Sequence, residues 1–203
     1  MIVNPDKLSV KERYQLMISS IVPRPIAFVS TISPDGIPNL APFSYFNGIT
    51  STPPTLCFAP GRNKDGGKKD TLVNLEKSGT FAVNMVTEEM VQQMAITATS
   101  FPADTNEFEQ AGLTALSCQK IEAPRVGESP LSMECKVLQI LEIGAQSAGG
   151  GFLVIGQVLL FHVKDEFIKN GNIRVDQMKP VGRLGDNYLT TLGKIFSIKT
   201  NKP

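Results

Sequence analysis

The loop RNKDGGKKDT, residues 62–71, is the best candidate in this sequence for holding an anion. Gly66-Gly67 permits a tight backbone turn, Lys68 and Lys69 supply charge, and Asp70-Thr71 stands where a helix is expected to begin. A helix N-terminus presents unpaired N–H groups and partial positive charge, which suits a phosphate. The same composition also describes a solvated surface loop with an ordinary N-cap. A second constellation precedes it in RPIAFVSTISPDGIPNLAPFSYF, residues 24–46. There Ser30 and Thr31 close an apolar run, and Asn39 and Ser44 return among Phe43, Tyr45 and Phe46. Hydroxyl and amide groups at strand ends can hydrogen-bond a flat heteroaromatic ring, with the aromatic side chains offering apolar surface beside it. Alternate strand residues facing solvent would give the same pattern. Together the two segments point to a phosphorylated, planar ligand.

Other chemistry is narrowed by what the chain contains little of. His162 is its only histidine, and it has no tryptophan. Histidine is the commonest general base near neutral pH and the commonest zinc ligand. A histidine-based zinc site is therefore nearly excluded, and a Ser-His-Asp triad would have to run through His162. That residue lies in VLLFHVKD, a setting that favours a structural strand histidine over a catalytic one. Cys57, Cys118 and Cys135 are isolated and lack metal-ligand spacing, so reduced cytosolic thiols are expected. If the protein is an enzyme, the hard chemistry falls to a bound cofactor. The net charge of +1, from 20 basic against 19 acidic residues, argues against nucleic acid or acidic lipid as a partner. No apolar stretch approaches the roughly 20 residues of a membrane span. Lys7, Lys11, Glu12 and Arg13 interrupt what would otherwise be a signal peptide, and a cytoplasmic location is expected.

The elements that must position these residues are mostly strands. Leu8 to Ile18 is expected to form a short amphipathic helix, ended by Pro23-Arg24-Pro25. Ile26 to Ile32 is β-branched and aromatic, Pro34-Asp35-Gly36 signals a turn, and Asn39 to Phe46 returns as a second strand. Pro38 and Pro42 cannot donate ladder hydrogen bonds, which places that strand at an edge or a bulge. Thr55 to Ala59 and Thr80 to Val86 add strands, with a short helix from Thr71 to Lys77 between them. Thr87 is expected to cap a helix running to Ala98, and a second helix, Glu107 to Ala111, stops at Gly112. In SMECKV the alternation of Met133, Cys135 and Val137 with Glu134 and Lys136 predicts one wet face. GFLVIGQVLLFHV is apolar on both faces and reads as a central strand, with Gly156 at a bulge or a close backbone approach. There is no βαβ rhythm, no GxGxxG and no Walker A motif. The expected architecture is mainly β, an antiparallel barrel with helical additions, in a single domain over residues 1–203.

PRPIAFVST, DGIPNLAPFSYFN, the double proline of TPPTLCF, KKDTLVN and PVGRLGDNYL, in that order, resemble the flavin reductase-like, FMN-binding split-barrel family. Within it the chain is similar to the flavoredoxin-type branch, over a stretch from about Tyr14 to Tyr188. The resemblance implies a Greek-key split barrel and a homodimer with noncovalent FMN near the dimer interface. It also implies electron flow from NAD(P)H through FMN to a second acceptor, or alternatively an FMN electron carrier served by a protein donor. Carried over by position, Ser30 and Thr31 would contact the flavin ring. Asn39, Ala41, Pro42 and Phe43 would approach the ring and ribityl chain, with Ser44, Phe46 and Asn47 as further contacts. Arg62, Lys69, Asp70 and Thr71 would form the phosphate end, with Asn74 behind it, and Arg24 would lie near the flavin or the partner subunit. Many of these reductases carry Gly-Asp-His on the nicotinamide side, where this chain has Gly149-Gly150-Gly151. That segment is open to three readings: room for a nicotinamide, room for a protein donor, or a floppy loop.

Overall fold

A computed structural model describes residues 2–198. Its framework is a sheet of seven strands. They are β1 (Ala27–Ile32), β2 (Pro38–Phe43), β3 (Phe46–Ser51), β4 (Pro54–Phe58), β5 (Thr80–Asn84), β6 (Leu131–Ile143) and β7 (Gly151–Val163). The spatial order is β2-β1-β5-β6-β7-β4-β3, every ladder in it antiparallel. Because β4 lies beside β7 rather than β5, strands β4 to β7 have Greek-key order. β2 and β3 are the two edges of this sheet, yet only Ser44 and Tyr45 separate them in the chain. So short a link spans about 3.5 Å per residue at most, so the sheet must curl until its edges meet. The result is a barrel split along one seam, as expected. Ala59 N donates to Tyr45 O at 2.8 Å and fixes the corner.

The local signals in the sequence place most elements. Pro38 and Pro42 fall on an edge strand, where their missing donors go unneeded. The return strand ends at Phe43, however, and not at Phe46: the chain crosses the seam there and restarts as β3. Gly156 is both a bulge and a close approach. The β6–β7 register shifts beside it, and a Cβ there would lie 2.4 Å from Phe81 Cζ. The expectation of a wet face on β6 fails at Glu134, which is fully buried beneath residues 119–120.

Inside the barrel, Phe43, Phe58 and Phe81 pack tilted and edge-on with centroids 5.3 and 5.4 Å apart, among Val29, Val83 and Val154. Among the described residues, four helices of five or more residues flank the sheet. α1 (Val10–Ser20) begins at a Ser9–Glu12 capping box and buries only Ile18, leaving Tyr14 and Met17 exposed. α2 (Asp70–Ser78) closes the barrel with Leu72 and Leu75. α3 (Val91–Thr97) follows a 3-10 turn, Glu88–Met90, and the Thr87 side chain makes no capping bond to that turn. α4 (Glu107–Ala111) ends at Gly112, whose φ of 64° is the left-handed conformation that glycine adopts without strain. Met90, Met94 and Phe108 from this region cover Phe28 and Leu40 on the outer face of the sheet. Among the described residues no helix is long and apolar enough to cross a membrane.

Candidate functional site

A groove of about 630 Å³ opens where edge strand β2 meets the start of α2 and the segment after α3. Strand β2 contributes Asn39, Ala41, Pro42 and Phe43, and the loop ahead of α2 contributes Arg62 to Asp65. Lys69, Asp70 and Thr71 stand at the helix start, with Thr97 to Phe101 and Glu107 opposite. One end is therefore cationic, and the flank along β2 is largely apolar.

The cationic end is built rather than merely charged. Lys69 is the N-cap of α2 and its side chain makes no capping bond. The N–H groups of Leu72 and Val73 both return to Lys69 O, at 2.9 and 3.1 Å, so the free donors of the first turn are those of Asp70 and Thr71. Arg62 is held by Gly66 O at 2.7 Å and Glu142 at 2.5 Å, with its guanidinium 4.7 Å from the Phe152 ring centre. Its Nε is buried and has no partner among the described residues, an orphan donor at the groove wall. Arg62 owes its place to the three glycines. Gly150 O accepts from Arg62 N at 3.0 Å, and Gly151 bridges to Gly61. A Cβ on Gly150 would lie 1.8 Å from Ala145 O and one on Gly149 2.7 Å from Val10 Cγ1. The segment is close-packed backbone, not a floppy loop.

A buried polar network supports the groove floor. Asn39 Oδ1 accepts from Thr71 Oγ1 at 2.9 Å and Thr31 Oγ1 at 3.1 Å, and Thr31 Oγ1 accepts from Asn74 Nδ2 at 3.1 Å. Asn39 Nδ2 donates to Glu107 Oε1 at 2.8 Å, while Glu107 Oε2 takes Leu40 N at 3.1 Å. Strand and two helices are thereby tied through one amide. Burial raises the Glu107 carboxyl above its ordinary value, opposed by the bonds it accepts and assisted by the nearby negative charge of Asp70.

Of the sequence-predicted residues, the structure gathers Asn39, Ala41, Pro42, Phe43, Arg62, Lys69, Asp70 and Thr71 around one groove. Others have different work. Thr31 stands behind Asn39 as a support, fully buried. The Ser30 hydroxyl is directed away, to Pro124 O. Arg24 is 3% exposed and is not a groove residue: its guanidinium binds the carbonyls of Ile18, Ile21 and Leu184 and the Ser44 hydroxyl. It clamps α1 and the residue 184 turn to the corner of the barrel. Ser44 is thus occupied as its partner, Phe46 packs on the core, and exposed Asn47 accepts from its neighbour Gly48 N at 2.9 Å. Sequence reading missed Thr97 to Phe101 and Glu107. The Ser/Thr run before Pro102 was a loop signal, but Glu107 is indistinguishable from an ordinary first-turn acid. Two of the three cysteines are poor nucleophiles: burial pushes the Cys118 thiol up to about 12, and Cys135 upward as well.

Comparison with known proteins bears on this groove. The flavin reductase like domain matches residues 18–177. A protein of Halalkalibacterium halodurans is 38% identical over 198 residues, covering 97% of this chain and 94% of its own. Nitrilotriacetate monooxygenase component B from Bacillus cereus superimposes with a TM-score of 0.93 at 33% identity, over 98% of both chains. A flavin reductase-type protein with a split-barrel domain from Shewanella frigidimarina shares the fold, with a TM-score of 0.82 at 22% identity over 96% of this chain and 95% of its own.

Proposed function

The chain belongs to the flavin reductase-like domain family, and from that premise we propose that it is an FMN-binding oxidoreductase working as a single domain in a homodimer. The observation that carries this reading is the groove itself, which sets a lysine and two helix N–H groups, unpaired among the described residues, at the end of a largely apolar strand edge. A planar ring ending in a phosphate matches that polarity. Lys69 and the N–H groups of Asp70 and Thr71 hold the phosphate, with Arg62 adding positive charge at the groove wall. Ala41, Pro42 and Phe43 give the ring and its side chain an apolar wall, and Phe101 faces them across the groove to exclude water. Asn39, fixed by three buried partners, keeps β2 and α2 at constant spacing. Bound FMN supplies the redox chemistry, accepting electrons from NAD(P)H and passing them to a second acceptor. The exposed Tyr14 and Met17 of α1, Ile21 just after it, Ile49 of β3 and Leu138, Leu141 and Ile143 of β6 support a dimer, as apolar side chains left in water.

The test is an absorbance spectrum of the purified protein followed by anaerobic mixing with NADH or NADPH. Flavin bands released on denaturation and identified as FMN, with bleaching on addition of nicotinamide, are the expected result. Bound FMN that stays oxidised with either nicotinamide would point to a protein electron donor. Absence of flavin, with no uptake of added FMN, would overturn the proposal.

A further inference from the structure

A second cavity, of about 300 Å³, lies between the start of β6 and the end of β7. One rung of the sheet runs from Pro42 of the groove through Phe28, Asn84 and Ser132 to His162 of this cavity. At about 4.8 Å per strand, the path along the curled sheet between the two sites is roughly 19 Å. The second is lined by Arg125, Ser129, Ser132, Phe161, His162 and Lys164.

Buried polar groups are arranged here around one cation. Arg125 Nε is buried without a partner, and no carboxylate pairs with its guanidinium among the described residues. The backbone on either side of it is pinned. Ser30 Oγ donates to Pro124 O, and Asn84 Oδ1 accepts from Val126 N at 2.9 Å. Ser30 and Asn84 are both fully buried and are bonded to each other at 3.3 Å, and Asn84 Oδ1 also accepts from Ser132 Oγ at 2.8 Å. Three buried polar side chains thus fix the backbone around a cationic residue whose guanidinium has no partner among the described residues.

Across the cavity, His162 Nε2 lies 2.5 Å from Glu134 Oε1. That carboxylate also takes Gln119 N at 2.8 Å and Lys120 N at 2.6 Å, so its charge is met from behind and does not oppose an incoming anion. Lys164 Nζ donates to Glu128 O at 3.0 Å, which leaves two of its three protons. Phe161 is half-exposed and forms an apolar lip.

We infer that this cavity is a second ligand site, which takes an oxyanion, phosphate ester or carboxylate, borne on a small and partly apolar molecule. Arg125 and Lys164 grip the charge, His162 lines the wall beside them, and Phe161 packs against the apolar remainder. The site does not depend on what occupies the groove.

Because His162 is the only histidine, its imidazole Cε1–H signal reports on this cavity alone. The experiment titrates the full-length protein with inorganic phosphate, and separately with acetate, at fixed pH and ionic strength. The expected result is a saturating shift with at least one anion at millimolar concentration or below, weakened about tenfold or more in Arg125→Gln. A response to phosphate alone identifies a phosphate ester, and a response to acetate alone a carboxylate. Lys164→Gln, on a more exposed side chain, should weaken the same response should Arg125→Gln fail to fold. No saturable shift with either anion up to about 50 mM, or an unchanged response in the variants, would overturn the inference.

Discussion

Lys69→Ala offers the sharpest probe of the groove, because Lys69 does nothing else that the structure displays. It makes no capping bond, and its neighbour Lys68, not Lys69, pairs with Glu76 at 2.7 Å. Removing its ammonium should therefore leave the fold intact and subtract only its contact with a ligand phosphate. A charge-assisted hydrogen bond is worth roughly 1.5–3 kcal/mol, or about ten- to a hundredfold in affinity. Riboflavin has the same ring and ribityl chain but no phosphate, so it should lose less than about threefold. Fluorescence quenching titrations with both flavins, on parent and variant, give the ratio directly. The same substitution at Thr71 would be a poor probe, since Thr71 is 1% exposed and its hydroxyl donates to Asn39. Equal losses of FMN and riboflavin in Lys69→Ala would refute the placement of the phosphate at α2.

Glu107→Gln should cost about 1–3 kcal/mol at pH 7 in urea denaturation, because its amide cannot accept at both oxygens from Asn39 and Leu40. Burial raises the Glu107 carboxyl, so its contribution is complete below the unfolded carboxyl's value and fades as pH rises through the raised one; the variant should lose that fall. Glu134 should behave in the opposite sense. Burial alone would raise it, but bonds from Gln119 N, His162 and Lys120 N outweigh this and hold it low. Its stabilisation is present above the unfolded carboxyl's value and lost as pH falls through the lowered one, so Glu134→Gln should flatten acid unfolding below about pH 4. Gly156→Ala places a Cβ 2.4 Å from Phe81, which is packed edge-on to Phe58 and cannot swing away. A loss of about 1–3 kcal/mol in the denaturation midpoint is expected, and an unchanged midpoint would mean that β7 relaxes at its bulge.

What the sequence determined by itself is what neighbouring residues decide among themselves. Gly112 stops α4, Pro38 and Pro42 confine β2 to an edge, and the largely apolar run of β7 marks a strand in the interior of the sheet. Each follows from backbone sterics, a missing donor or side-chain periodicity, and these act over a few residues. The loop at 62–71 carried its anion-site signal for the same reason, charge, glycine and a helix start being adjacent in the chain, and the fold brings it and the β2 residues to one groove. Tertiary structure alone decided the partners of the buried polar groups. Ser30 and Thr31 looked alike, yet successive strand residues point to opposite faces. One hydroxyl therefore fixes Pro124 and the other supports Asn39. Arg24 had the look of a ligand contact until the carbonyls of Ile18, Ile21 and Leu184 were brought around it. Glu134 had the look of a solvent-facing residue until residues 119–120 folded over it. A buried polar group must find a partner wherever the fold supplies one, often far along the chain, and no local pattern records which one it will be.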